Sequence, residues 1–323
     1  MASSHLNTKM RIALIAGVAL MKTSGLALCA VALVVAPVRA PAQEWPLNLR
    51  TQMIRMASVG YRLSIAAAPL CGKKGSQTGL LIDALAAYSP QDRPLVRSLL
   101  HFSDLPQIAG VAPGSPAAGA GIQPDDQIMA IDGRAVSAIQ AASRTPDLIA
   151  DELDEQLTAA PAGAAVHLEL KRDGKIMSVD LRPAQGCAAR FVVKTDKGIE
   201  AFSDARNVGL GAKLIAFTQS DDELAMVAGH ELAHIIYRDA STRSRLRQRD
   251  KEDRADILGA SLARCAGYDL KRALAFWPRY DKQNWLRFFR DAAHRPVKDR
   301  VALIEARSLA GPCPPELQPA PDT

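Results

Sequence analysis

The chain has 323 residues, 48% of them hydrophobic, enough to build buried cores, which excludes a disordered chain. Its formal charge of +6 is concentrated at the start, because Lys9, Arg11, Lys22 and Arg39 fall within residues 1–42 and no acid does. That leaves 36 basic against 34 acidic side chains, a balance that argues against nucleic acid as a partner.

Residues 1–42 have the layout of a secretory signal peptide, with an apolar core from Gly25 to Ala36 behind Lys22. The small residues Ala40 and Ala42 offer a cleavage site. A second apolar run, Ile12 to Met21, lies upstream, so translation starting at Met21 would yield a shorter signal. The alternative is an uncleaved anchor, since Ile12 to Ala36 is long enough to span a bilayer. Either way the protein is expected outside the cytoplasm, periplasmic or secreted, or held on the inner membrane facing the periplasm. Beyond the leader stand Cys71, Cys187, Cys265 and Cys313, an even number consistent with two disulfides in an exported protein. Three connectivities are possible. Their positions favour Cys71 with Cys187 and Cys265 with Cys313.

Residues 43–75 read as a helical connector, with apolar Met53, Ile54, Ala57 and Tyr61 in a helix over Leu47–Leu70. From residue 76 to 186 the pattern changes to short strands and turns. Ile108 to Val136 runs as strand, Ser115-Pro116 helix start, Gly121 turn, strand and Asp132-Gly133 hairpin. Thr145 and Pro146 can open the next helix, which carries Ile149, Leu153 and Leu157 on one face. Strands Val166–Leu170 and Ile176–Leu181, joined through Asp173-Gly174, close the unit. This stretch resembles a bacterial PDZ domain. The resemblance implies peptide binding by strand addition, with Gly79 and Leu80 in the carboxylate-holding loop. The segment Asp83 to Phe102 is an insertion in that pattern.

Residues 190–220 should be strand-rich, through Phe191-Val192-Val193 and Gly211 to Thr218. Next comes His230-Glu231-Leu232-Ala233-His234, an H-E-x-x-H signature on a helix flanked by apolar residues. Residues four apart share a helix face, so both imidazoles can reach one metal ion, with zinc the usual occupant. Glu231 lies about 100° around the helix and suits a general base. A second helix carries Glu252 and Asp256, again four apart; one can serve as third ligand and the other can orient a ligand histidine. Asp253, about 100° away, should face solvent.

From about Arg190 to Leu309 the chain resembles the HtpX-like and CAAX-prenyl-protease-like zinc metallopeptidases, particularly soluble periplasmic members. Their second helix usually reads E-x-E-A-D, whereas here Arg254 stands in the middle position. The resemblance implies His230, His234 and Glu252 as ligands of one zinc ion per chain, with Asp256 behind them. It also implies that a segment including Leu214, Ile215 and Ala216 pairs with extended substrate. His294 to Arg300 is similar to the family's H-P-x-x-x-x-R stretch with the proline displaced by one. His294 would hydrogen-bond the developing oxyanion, or occupy the metal's open position in a resting form. Residues 238–249, rich in arginine, read as a solvated connector, and the proline-rich stretch 312–323 as a tail.

The expected fold is α+β: a mainly helical gluzincin-type zinc peptidase domain with a small edge sheet (190–311), preceded by the β-rich PDZ-like domain. The expected function is a zinc metalloendopeptidase of the cell envelope, acting on protein or peptide substrates, with membrane association only through an uncleaved leader. Two rivals stand beside it. A site-two-type intramembrane protease would need several spans. A non-catalytic PDZ chaperone with structural zinc would have no use for Glu231.

Overall fold

The computed structural model describes residues 41–195, 198–240, 246–283 and 294–317. All belong to one of the chain's two units, Ala40–Thr323. Residues 1–40 of the expected signal peptide, part of the arginine-rich connector and the end of the tail lie outside the described residues. The fold is α+β, with two main buried cores.

The first core belongs to an antiparallel sheet in the order Leu80–Asp83, Gln107–Val111, Gln127–Ile131, Val166–Arg172, Lys175–Leu181. Alternation decides its faces: Val166, Leu168 and Leu170 point inward while His167 between them is exposed. Asp173 and Gly174 both adopt positive φ, as a two-residue hairpin turn requires. The helix Ile149–Ala159 lays Ile149, Leu153 and Leu157 on this sheet, as their spacing predicts. Thr145 makes no side-chain cap; its hydroxyl instead donates to Glu152 at 2.9 Å, because a 3₁₀ turn, Pro146–Leu148, intervenes. The insertion forms a 3₁₀ turn (Leu85–Ala87) and a helix (Arg93–Leu99), and its Val96, Leu100 and Phe102 pack near Trp45 and Tyr88.

A two-stranded neck, Lys74–Gln77 paired with Ala184–Cys187, leads to the second core, and the Cys71–Cys187 disulfide lies at the neck's end. Cys265–Cys313 is the second bridge, so the pairing within segments is the one formed. The N-terminal helix, Pro41–Ala67, is more than a connector. Met56, Val59, Leu63 and Ala67 are buried in the second core with Leu224 of the H-E-x-x-H helix and Leu258 of the next. It also grips the sheet domain, through Arg50 donating to the buried Asp83 at 2.8 Å.

One expectation fails in this region. The strand expected over residues 211–218 is a helix, Ala212–Phe217, and Leu214 and Ile215 are fully packed into the core. Alternation in a short apolar run does not distinguish a strand from one buried helical turn. The strand instead precedes it, at Asn207–Gly211, pairing parallel with Arg190–Lys194 and antiparallel with Ala201–Ser203. Further along, residues 270–283 form two short helices, Leu270–Ala273 and Phe276–Gln283.

Candidate metal centre

The helix Asp221–Tyr237 begins at Ser220, whose hydroxyl accepts from the Glu223 amide at 3.3 Å. Glu223 reaches back to accept from the Gln219 amide at 2.8 Å, and it also takes Arg279. The helix is buried on nearly every side from Glu223 to Ala233. It ends where Arg238 adopts a left-handed backbone (φ +57°) and turns the chain back on itself.

Two glycines place the second helix, Gln248–Cys265, against it. A Cβ on Gly229 would lie 2.6 Å from the carbonyl oxygen of Gly259, and one on Gly259 would lie 2.6 Å from the Gly229 carbonyl carbon. The backbones therefore cross at a separation that no side chain permits. Crossing there brings Glu252 and Asp256, about two turns and one turn before Gly259, alongside His230.

The donor atoms converge. Nε2 of His230 lies 3.1 Å from Nε2 of His234, and Oε2 of Glu252 lies 3.2 and 3.3 Å from the two. Ligands at ordinary zinc distances occupy the corners of a tetrahedron about 3.3 Å apart, so this donor set fits zinc without rearrangement. Nε2 of His294 is 3.0 Å from the same Glu252 oxygen, and His230, Glu252 and His294 form a group with metal-ligand proximity.

Each imidazole is held from behind. Nδ1 of His230 is 2.8 Å from Asp256, and Nδ1 of His234 is 2.9 Å from Asp239. A carboxylate only accepts, so Nδ1 carries the proton and Nε2 is the nitrogen available to a metal. Asp256 is in turn held by Arg300, whose Nε donates at 2.6 Å and whose guanidinium stacks on Trp277 at 3.4 Å. Asp239 is held by Arg254, which also lies over Tyr237. The residue that departs from the family pattern thus supports the carboxylate that orients His234.

Without a metal the cluster behaves as a place for positive charge. Burial pushes the His230 and His234 imidazoles down, but hydrogen bonds to Asp256, Asp239 and Glu252 outweigh it; His230 is raised, and His234 is pushed up to about 9. Burial also opposes the charge on Glu252, yet three imidazoles hold its carboxyl far below the usual range. Asp256, opposed by burial and held by Arg300 and His230, falls to about 2.

Glu231 is buried beside the cluster without joining it, and accepts from Ser203 Oγ at 2.8 Å. Ser203 belongs to Ala201–Ser203, the edge of its sheet; among the described residues no strand pairs its outer side. That strand, not residues 214–216, runs beside the metal centre. Of the sequence candidates there, Leu214 and Ile215 are buried and Ala216 alone is exposed. Asp253 does not face open solvent: it takes Arg295 through both oxygens at 2.8 Å, next to His294. Gly79 and Leu80 lie far along the chain, where Gly79 (φ +76°) packs against Ser115 and the Leu80 amide donates to Thr78 Oγ1. The sequence reading missed Ser203, Asp239 and the supporting role of Arg254. Asp239 had a local signal, an acid just past the end of the histidine helix, whereas Ser203 had none.

Residues 165–248 match the family model "Peptidase family M48", and residues 107–172 match that of the PDZ domain. The first match covers His230, Glu231 and His234 and stops short of Glu252. No curated protein matches the chain. Among solved structures, it is similar to an HtrA-type protease AlgW with decapeptide, at 18% identity and a TM-score of 0.26, over 35% of this chain and 30% of that one. It is also similar to the HtrA3 PDZ domain bound to a phage-derived ligand, at 19% identity and a TM-score of 0.24, over 35% of this chain and 89% of that one. The chain thus spans less than a third of the length of AlgW.

Proposed function

We propose that this chain, which joins a PDZ domain to a region of peptidase family M48, is a zinc-dependent endopeptidase of the cell envelope that cleaves extended or misfolded proteins. The observation that carries the reading is the convergence of His230, His234 and Glu252, with Glu231 held alongside by Ser203 beneath an open strand edge. Zinc held by those three residues would supply Lewis-acid polarisation of a carbonyl and of the attacking water. Glu231 accepts a proton from that water and returns it to the leaving amine. Ser203 fixes the rotamer of Glu231 so that one oxygen remains directed at the reacting atoms. A substrate strand adds to Ala201–Ser203, which reads backbone and tolerates varied side chains. The PDZ domain offers a second edge, Leu80–Asp83, for a peptide ligand. Two disulfides support an oxidising compartment, and among the described residues no helix is long and apolar enough to cross a membrane.

Purified protein should cleave casein, lose that activity to a chelator and regain it on adding zinc. If zinc-loaded protein binds unfolded casein but leaves it intact, the chaperone reading replaces this one.

Metal-free protein should show a pH signature. His234 is raised from its ordinary 6.5 to about 9, so its stabilising contribution is full below about 6.5 and is lost as pH rises through about 9. The melting temperature of chelated protein should therefore fall across that window. Zinc-loaded protein should not follow it, because metal binding has already displaced the proton. Parallel melting curves for the two forms from pH 6.5 to 9 would show that zinc and the His234 proton do not compete.

A further inference from the structure

A pocket of about 390 Å³ opens next to the metal centre, with His234 in its wall. That volume falls in the range of small-ligand sites, about 300–1,000 Å³, and accommodates a large side chain with room beyond it. Its floor is apolar: the Cys71–Cys187 disulfide, buried at both cysteines, with Ile235 and Ile236 from the end of the histidine helix.

Its rim is basic. Lys73, Arg206 and Arg238 are exposed around it and come from three separate elements. Arg206 sits in the turn between Ala201–Ser203 and Asn207–Gly211. Arg238 is the left-handed residue that ends the histidine helix, and its guanidinium lies across Gly72, where a Cβ would stand 2.6 Å from Nη2. Asp204 is the one acid of the described lining, and its carboxylate is committed to the turn, accepting from the Arg206 and Asn207 amides at 2.7 Å each. The helix C-terminus adds about half a negative charge, less than any one of the three cations. The surplus is positive, above an apolar floor and beside the turn that follows the edge strand Ala201–Ser203.

We infer that this pocket is a specificity site that selects substrates carrying a bulky apolar residue followed or preceded by an acidic one. The apolar side chain fills the disulfide-floored pocket and displaces its water. The neighbouring Asp or Glu meets Lys73, Arg206 and Arg238 at the rim, an attraction that acts mainly on binding and weakens with salt. The inference rests on the peptidase reading above and names the substrate class of that same site.

The test uses the zinc-loaded full chain on a mixture of peptides from a digested proteome, with cleaved bonds identified by mass spectrometry. Cleavage sites should be enriched, on one side of the bond, in Leu, Ile, Phe or Met adjacent to Asp or Glu. Two quenched peptides built on the best-cleaved sequence, one with Glu and one with Lys at the acidic position, should differ at least about tenfold in kcat/KM at low salt, chiefly through KM. In Arg206→Glu/Lys73→Glu that ratio should collapse or invert, and in the milder Arg206→Gln it should shrink. Equal cleavage of the two peptides by wild-type protein, or a ratio unchanged in folded Arg206→Gln, overturns the pocket assignment while leaving the peptidase reading intact. No cleavage of any peptide removes the peptidase reading, and the inference with it.

Discussion

Glu231→Gln is expected to keep its zinc and to lose about 10²–10⁴-fold in kcat. The amide has the shape of the carboxylate and can still accept the Ser203 hydroxyl bond, so the helix and the metal centre stay in place. What it cannot do is take a proton from water and pass it on. Glu231 stands outside the converging donors, so metal content should be unaffected by the change. Metal analysis and casein turnover, measured on the same preparation, check both halves. Turnover within a few-fold of wild type would assign the proton transfer to another group, and His294 would be the next candidate. Loss of metal would instead place Glu231 among the ligands.

Glu252→Ala should abolish tight zinc binding. Its Oε2 lies 3.0–3.3 Å from Nε2 of His294, His230 and His234, so a single oxygen closes the ligand set. Two imidazoles alone leave zinc short of the three protein ligands that catalytic sites use. Asp256→Asn removes the charge that orients His230 and should weaken binding or activity by about 10–100-fold. Asp253→Asn should leave metal content unchanged, since Asp253 holds Arg295 and donates nothing to the cluster. Glu252→Gln separates ligand loss from a packing defect, because it fills the same volume. Full zinc occupancy in folded Glu252→Ala, read by metal analysis, would show that another group provides the third donor.

The fold was legible where the signal is local. Turn chemistry at Asp173-Gly174 and the 149–153–157 spacing predicted elements that form as expected. Over 211–218 a helix stands where a strand is expected, because strand and helix bury the same short apolar run and the strand Asn207–Gly211 already fills the sheet position before it. The N-terminal helix looked like a connector because its apolar residues say that it packs, but not on what.

The sequence by itself determined the chemistry available at the candidate metal centre. Helical periodicity places His230 beside His234 and turns Glu231 away, and the same periodicity pairs Glu252 with Asp256. These are relations within one helix, set by backbone geometry that any packing preserves. Beyond Asp256, the tertiary structure decided which groups stand behind that centre and above it. The contact of Gly229 with Gly259 brings the two helices close enough for Glu252 to meet both imidazoles. The left-handed end of the first helix returns Asp239 to His234, and Arg254 holds Asp239 from the second helix. Ser203 reaches Glu231 from a strand 28 residues earlier. Ser203, Arg254 and the glycine contact depend on where separate elements cross, which no spacing along the chain encodes; Asp239, five residues past His234, is the partner with a local signal.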